Sequence, residues 1–323
     1  LETTILLASV VAAAAPVVLA SLGETLTEKA GVVNLSLDGT ILLSAMTAFA
    51  VSYETRSLML GFAAAALVGA AVAFLVALFS VYGGQSQVAV GFVLTLMTRD
   101  LAYFLGNPYA RLQGLQVPYL PIAWLADIPW LGPVVFRHSL PVYFSIILVV
   151  AMWWGIYHTS AGLRLQAVGE HPLAAYARGL NPARQQLACT VCGGILIGLA
   201  GATFSLCTKL GWGRPQGAEG TGWIALALVI FGGWHPVRTA AGAYLFAFLQ
   251  TLGIHAQGWL PGVPSQVFQT APFPLMIFTL LLINVAQRQA PGAPGRPVSL
   301  TARFFQFLAA RPPAALGRPL QRL

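Results

Sequence analysis

The side chains of this 323-residue chain that could do chemistry are few and far apart. His138, His158, His171, His235 and His255 are scattered, a spacing that suits interfacial or capping positions better than a shared ligand set. Cys189-x-x-Cys192 is the one close cysteine pair, with Cys207 beyond it. Zinc or thiol–disulfide chemistry would call for a second pair or a flanking histidine. An apolar run surrounds this pair instead, as it would buried small side chains. No two carboxylates in the apolar blocks are placed for acid–base work, and neither H-E-x-x-H nor G-x-S-x-G occurs. The only lysines are Lys29 and Lys209, neither in a G-x-x-x-x-G-K-[ST] setting, so the chain has no P-loop for ATP. Asp38 and Asp100 are the acids available to a proton relay. What remains is a passive path rather than an enzyme, with no metal or cofactor of its own, driven from elsewhere.

The surroundings of these residues set the class. Hydrophobic residues make up 57% of the chain and charged residues 8%, against about 25% charged in soluble domains. No soluble fold of this length hides so much apolar surface. A bilayer admits helices or closed barrels, and the apolar runs are too long and too little alternating for a barrel. The expected fold is all-α: a polytopic integral membrane protein of about eight membrane segments, one of them broken or re-entrant. The net charge of +8 suits anionic lipid rather than nucleic acid, because Arg288, Arg296, Arg303, Arg311, Arg318 and Arg322 crowd a tail that has no acid after Glu219. The N-terminal run lacks a basic leader, and the sequence does not begin with Met.

Taken in order, Thr3–Leu22 is one span, kinked at Pro16. Gly23–Asp38 is polar, then half apolar, and Ile41–Tyr53 is short for a crossing unless Asn34–Gly39 also lies at depth. Two readings stand: a break lining a cavity, as in transporters, or a cytoplasmic turn before a tilted helix. Ser57–Thr98 carries no charge and is too long for one span, so residues 83–87 form a turn before Val88–Leu105. Arg99 and Asp100 in that span either line the path or sit near its outer end. Gly106–Leu140, rich in Pro and with Trp124 and Trp130, reads as an external interfacial loop. Pro141–Tyr157 and Gln186–Leu206 are spans, the latter with a Gly194-x-x-x-Gly198 packing face. Cys207–Gly222 is external, and Trp223–Trp234 is half-length before an inner turn at residues 235–238. Ala240–Ile254, an external Gln257–Gln269 and Thr270–Ala286 follow. This order puts the N-terminus outside and the C-terminus inside, and divides the chain into a transmembrane domain, 1–287, and a basic cytoplasmic tail, 288–323.

Thr159–Arg184 is the polar interruption on which this topology turns, with Arg164, Arg178 and Arg184 against Glu170, a cytoplasmic signature. Pro172 suits the first turn of a short helix, and Ala174, Ala175 and Gly179 let another protein approach its backbone. Gly179 and Asn181-Pro182 end it.

Three stretches together resemble the permease subunits of bacterial ABC importers of the branched-chain amino acid/ribose class, nearest to the purine-nucleoside type served by basic-membrane-protein-family lipoproteins. Residues 28–39, EKAGVVNLSLDG, are similar to E-R-A-G-V-x-N-[LI]-G-L-E-G. Residues 162–180 are similar to G-L-R-x-R-A-V-G-E-N-P-x-A-A-x-x-x-G-I, and residues 222–236 to G-[FY]-I-A-L-A-x-V-I-F-G-x-W-x-P. Gln87-Val88-x-x-Gly91 is a weaker match. Ser36 departs from a family Gly, Asp38 from Glu and His171 from Asn, while Arg99-Asp100 has no counterpart in the pattern. The resemblance covers residues 1–287 and implies a chain of the bacterial cytoplasmic membrane. It implies a coupling helix near Glu170–Gly179, with Arg164, Glu170, His171, Pro172, Ala174, Ala175, Arg178 and Gly179 facing a separate ABC ATPase that holds ATP and magnesium. It further implies a second, paralogous permease, an external lipoprotein that delivers solute, and a path past the broken segment with Asn34, Ser36 and Asp38 and the neighbouring Gln87. Asp100 joins the expected path on its own account, as an ionisable group within a span. Purine nucleosides are the expected cargo. A ribose-like sugar is the alternative, and a proton-coupled carrier the alternative from another class.

Overall fold

The computed structural model describes residues 2–259, the isolated positions 274, 278 and 281, and residues 312–318. The expected external stretch Gln257–Gln269 beyond residue 259, the Thr270–Ala286 span apart from those three positions, and the tail arginines other than Arg318 lie outside the described residues. Helix α1 spans Glu2–Lys29 and α2 Leu37–Thr55. Helix α3, Leu58–Ala77, runs on through a π turn, and after a short loop α4 covers Gln87–Gly106. A long irregular connection holds the short α5, Leu131–Val135, and α6 is Leu140–His158. Then come α7, Ser160–Glu170, and α8, Pro172–Ala177, followed by α9, Pro182–Thr203, which also ends in a π turn. Helices α10, Thr221–Phe231, and α11, Pro236–Trp259, complete the described chain. Among the described residues the only β pairing is an isolated bridge, Tyr119 with Ser139.

Five of these helical stretches are long and apolar enough to cross a membrane: Thr3–Lys29, Leu58–Tyr82, Gln87–Tyr109, Leu140–His158 and Pro182–Thr208. Helices α2 and α11 have the length but are less apolar. For α2 the reason is position. It lies inside the bundle, where Thr40, Ser44 and Ser52 are buried in protein and need not face lipid. Large apolar side chains such as Met59, Leu67, Val93, Ile147 and Val150 point outward instead, as a lipid-facing surface requires.

One expectation is corrected. The chain does not break after Leu22; α1 continues helical to Lys29. Gly23 fits this stretch because α9 closes on it: a Cβ there would lie 2.5 Å from the Gly193 carbonyl oxygen. Glu24 and Glu28 are therefore buried in the bundle rather than solvated in a loop. The break narrows to residues 30–36, since α2 already starts at Leu37.

Helix α9 is the central strut, packed on α1, α2 and α3. The Gly194–Gly198 face meets α3 as expected. A Cβ on Gly69 would stand 2.1 Å from the Gly194 carbonyl oxygen, so the two backbones touch with no side chain between them. Gly69→Val should therefore lower the thermal unfolding temperature of the detergent-purified protein, with a cost on the order of 1–3 kcal/mol or more. Gly155→Ala, where a Cβ meets nothing within 4 Å, should leave it unchanged.

Candidate functional site

Residues 30–36 leave helical geometry in the interior of the bundle, with Asn34 and Ser36 almost fully buried. Backbone groups stranded there need partners, and side chains from three helices supply them. The Val33 N–H donates to Gln87 Oε1 of α4 at 2.8 Å, and the Asn34 N–H to Glu24 Oε1 of α1 at 3.1 Å. The Leu35 carbonyl accepts from Thr95 Oγ1 of α4 at 2.6 Å, and the Ala30 carbonyl from Gln186 Nε2 of α9 at 3.0 Å. Within the segment, the Ser36 N–H and Oγ both donate to Asn34 Oδ1, at 3.0 and 2.6 Å. Asn34, Ser36 and Gln87 thus hold the break in shape.

Asp38, in the first turn of α2, receives the Gly222 N–H at 3.2 Å. The start of α10 packs directly on it, for a Cβ on Gly222 would lie 2.2 Å from the Asp38 nitrogen. Two helix N-termini thus converge on one carboxylate, an arrangement that favours negative charge. Arg99 and Glu219 are close enough to act on Asp38 electrostatically.

Glu219 organises the loop before α10. It accepts from the Gln216 and Gly217 N–H groups at 2.7 and 2.5 Å, and from the Tyr103 hydroxyl. Burial raises its carboxyl, but these donors outweigh burial and hold it below the ordinary carboxylate value. The Arg214 guanidinium lies 4.7 Å above the Tyr103 ring, and Trp212 is 5.8 Å from it. A cavity of about 460 Å³ opens here, lined by Asp100, Tyr103, Phe104, Asn107, Trp212 and Arg214 among others. Of the five residues assigned to the path, Asn34, Ser36, Asp38 and Gln87 come together around the break. Asp100 does not; it lies exposed on α4, about 20 Å along the helix from Gln87 at 1.5 Å per residue.

At the other end of α1, the Trp234 Nε1–H donates to Glu28 Oε2. Lys29 Nζ lies 5.5 Å from the Tyr157 ring, which stacks on His235 at 5.1 Å. Burial, then the charges of Arg238 and Lys29, push the His235 imidazole below its ordinary value. The polar stretch after α6 forms two helices where a single short one was expected. The α7 helix presses Gly169 on this cluster: a Cβ there would lie 2.0 Å from the Lys29 carbonyl oxygen. Pro172 opens α8 at its first turn, and Gly179 closes it at φ +83°, in the left-handed region. Arg164, Glu170, His171, Ala174, Arg178 and Gly179 are exposed and Pro172 is half-buried. Ala175 is turned inward at 4% exposure, so the outward face of α8 is carried by Leu173 and Tyr176.

Glu24, Thr95, Gln186 and Gly222 were missed by the sequence reading. The available signal was two acids four apart, Glu24 and Glu28, continuing an otherwise apolar helix.

The family described as "Branched-chain amino acid transport system / permease component" matches residues 6–286. A putative glucose ABC transporter permease protein of Haloferax volcanii is 35% identical over 256 residues, 78% of each chain. A nucleoside ABC transporter permease protein of Lactococcus lactis is 30% identical over 306 residues, 90% of this chain and 95% of its own. A guanosine ABC transporter permease protein of Bacillus subtilis is 30% identical over 302 residues, 88% and 93% respectively. No solved structure matches.

Gln87→Leu removes the acceptor of a buried amide, a loss of about 1–3 kcal/mol. Hydrogen exchange at residues 32–36 should speed up in that variant and stay at the wild-type rate in Gln85→Leu, whose side chain is exposed.

Proposed function

This chain belongs to the branched-chain amino acid transport system / permease component family, and from that premise we propose that it is the membrane subunit of an ATP-driven importer of purine nucleosides. One observation carries the mechanism: an exposed handle joined by close-packed backbone to a buried break. Helix α8 presents Leu173 and Tyr176 outward, at 50% and 52% exposure. Its neighbour α7 bears on the end of α1 through Gly169, and residues 30–36 begin at that end. An ATPase on the cytoplasmic side grips α8. Its closure shifts α7, and with it the break and Asp38, so that the path opens to alternate sides. Arg164 and Arg178 are placed to meet acids on that partner.

The remaining assignments follow the same reading. About eight segments cross the cytoplasmic membrane, with the N-terminus outside and the C-terminus inside. A second, paralogous permease completes the path, and an external lipoprotein delivers the solute. ATP and magnesium belong to the ATPase. The path residues are Asn34, Ser36, Asp38, Gln87 and Asp100, with Asp38 facing the helix ends that favour an anionic or polar group. The nucleoside reading is supported by the two relatives that match along nearly their whole length. A simple sugar is the second reading, favoured by the glucose-permease relative. A proton-driven carrier has less behind it, since Asp100 is exposed and Asp38 is held by the α10 backbone.

In membrane vesicles holding the assembled transporter, labelled guanosine uptake should require ATP and resist an uncoupler. The double variant Leu173→Asp/Tyr176→Ala should reach the membrane yet lose uptake by roughly tenfold or more, as expected when central apolar anchors of an interface are removed. Wild-type uptake by that variant, or uptake abolished by the uncoupler alone, would defeat the proposal.

A further inference from the structure

We propose that the cavity at the far end of α4 is a reception site for a planar, hydrogen-bonding solute of the nucleobase kind, an inference that rests on the nucleoside reading above. Its volume of about 460 Å³ falls in the range of small-molecule sites. Its walls are aromatic where a planar face needs them. Tyr103 and Trp212 meet at a 40° tilt, and Phe104 stands 77% exposed at the rim. The Arg214 guanidinium lies 4.7 Å from the centre of the Tyr103 ring, a cation–π contact on this wall. The polar complement is Asp100, an acceptor for ring or exocyclic N–H, and Asn107, which both donates and accepts. A free sugar lacks the planar π face and the ring N–H groups that this lining matches. Tyr103 of its wall also bonds Glu219, which organises the loop before α10.

The test is equilibrium dialysis of labelled guanosine against the detergent-purified transporter complex without its lipoprotein. Wild type should bind guanosine, and D-ribose should not compete. Phe104→Ala and Asp100→Asn should each weaken binding, by roughly tenfold for the lost stacking partner, while Phe104→Trp retains it. Trp212→Phe gives a second aromatic variant without emptying the space beside Gly106. No guanosine binding by wild type, or equal binding by Phe104→Ala and Asp100→Asn, would overturn the site. Guanosine uptake by the wild-type vesicles is scored separately, so failure of the substrate reading is distinguishable from failure of this site.

A different observation carries a second inference. Residues 312–318, beyond the family match, pack on the body of the protein at the arm formed by α7 and α8. The Ala315 N–H donates to the Gly169 carbonyl at 3.0 Å, the Gly317 N–H to the Gly31 carbonyl at 3.2 Å, and the Ala314 N–H to Glu170 Oε2 at 3.2 Å. Ala315 is buried at 7% exposure. The segment thus bridges the last turn of α7 and the start of the break, the two parts that must move together. We infer that it is a strap restraining the arm. A chain truncated after Arg311, and Ala315→Glu in the full chain, should raise the basal ATPase rate of the assembled complex several-fold and speed hydrogen exchange at residues 167–171. A wild-type ATPase rate in both variants would overturn the restraint, and unchanged exchange there would overturn the contact itself.

Discussion

Non-helical backbone inside a membrane protein survives only if every stranded N–H and C=O finds a partner, since an unpaired amide in an apolar setting costs about 2–7 kcal/mol. Four side chains, Glu24, Gln87, Thr95 and Gln186, drawn from α1, α4 and α9, supply such partners to residues 30–36. The constraint runs both ways. The segment holds its irregular course because three helices are in register around it, and those helices are tied to one another through it. Glu24 Oε2 and Gln186 Oε1 remain without a hydrogen-bond partner among the described residues, so this hub keeps polar capacity beyond what the backbone uses.

The glycine contacts extend that register through the bundle. Gly69 on Gly194, Gly23 on Gly193, Gly222 on Asp38 and Gly169 on Lys29 are all approaches that a single Cβ would block. Contacts of this kind leave little room for gradual deformation, because close-packed interiors pass strain along rather than absorb it. A push on α7 therefore reaches the end of α1 and the break directly. The contact of α7 with the end of α1 is backbone against backbone, with no flexible side chain to give way.

Much of this was legible in the sequence. Apolar length located α3, α4, α6 and α9, and Pro172 and Gly179 bounded α8, because lipid exposure and helix ends impose composition rules. The course of residues 23–29 was not legible. Gly23, Glu24, Thr25, Thr27 and Glu28 have the composition of a loop, and only tertiary packing keeps them helical: α9 covers Gly23, Trp234 binds Glu28 and the break binds Glu24. Thr95 and Gln186 could not be assigned for the same reason, since nothing local marks a side chain whose partner is 60 or 156 residues away. The docking of residues 312–318 was hidden because Pro, Ala and Gly carry no pattern; their contact is made by backbone N–H groups.

Asp100 stands apart from the residues gathered around the break, on the wall of the cavity that also holds Tyr103. Tyr103 joins the cavity wall to Glu219, and Arg99 and Glu219 both bear on Asp38. Glu219 and Asp38 are like charges near one another, and each is held by backbone N–H donors at the entry to α10, Glu219 from residues 216 and 217 and Asp38 from Gly222. A displacement of α10 relative to α2 must therefore alter both carboxylates at once. Trp234, just beyond the other end of α10, is tied to Glu28 of α1, so the entry and exit of this half-length helix are anchored on two different helices, α2 through Asp38 and α1 through Glu28.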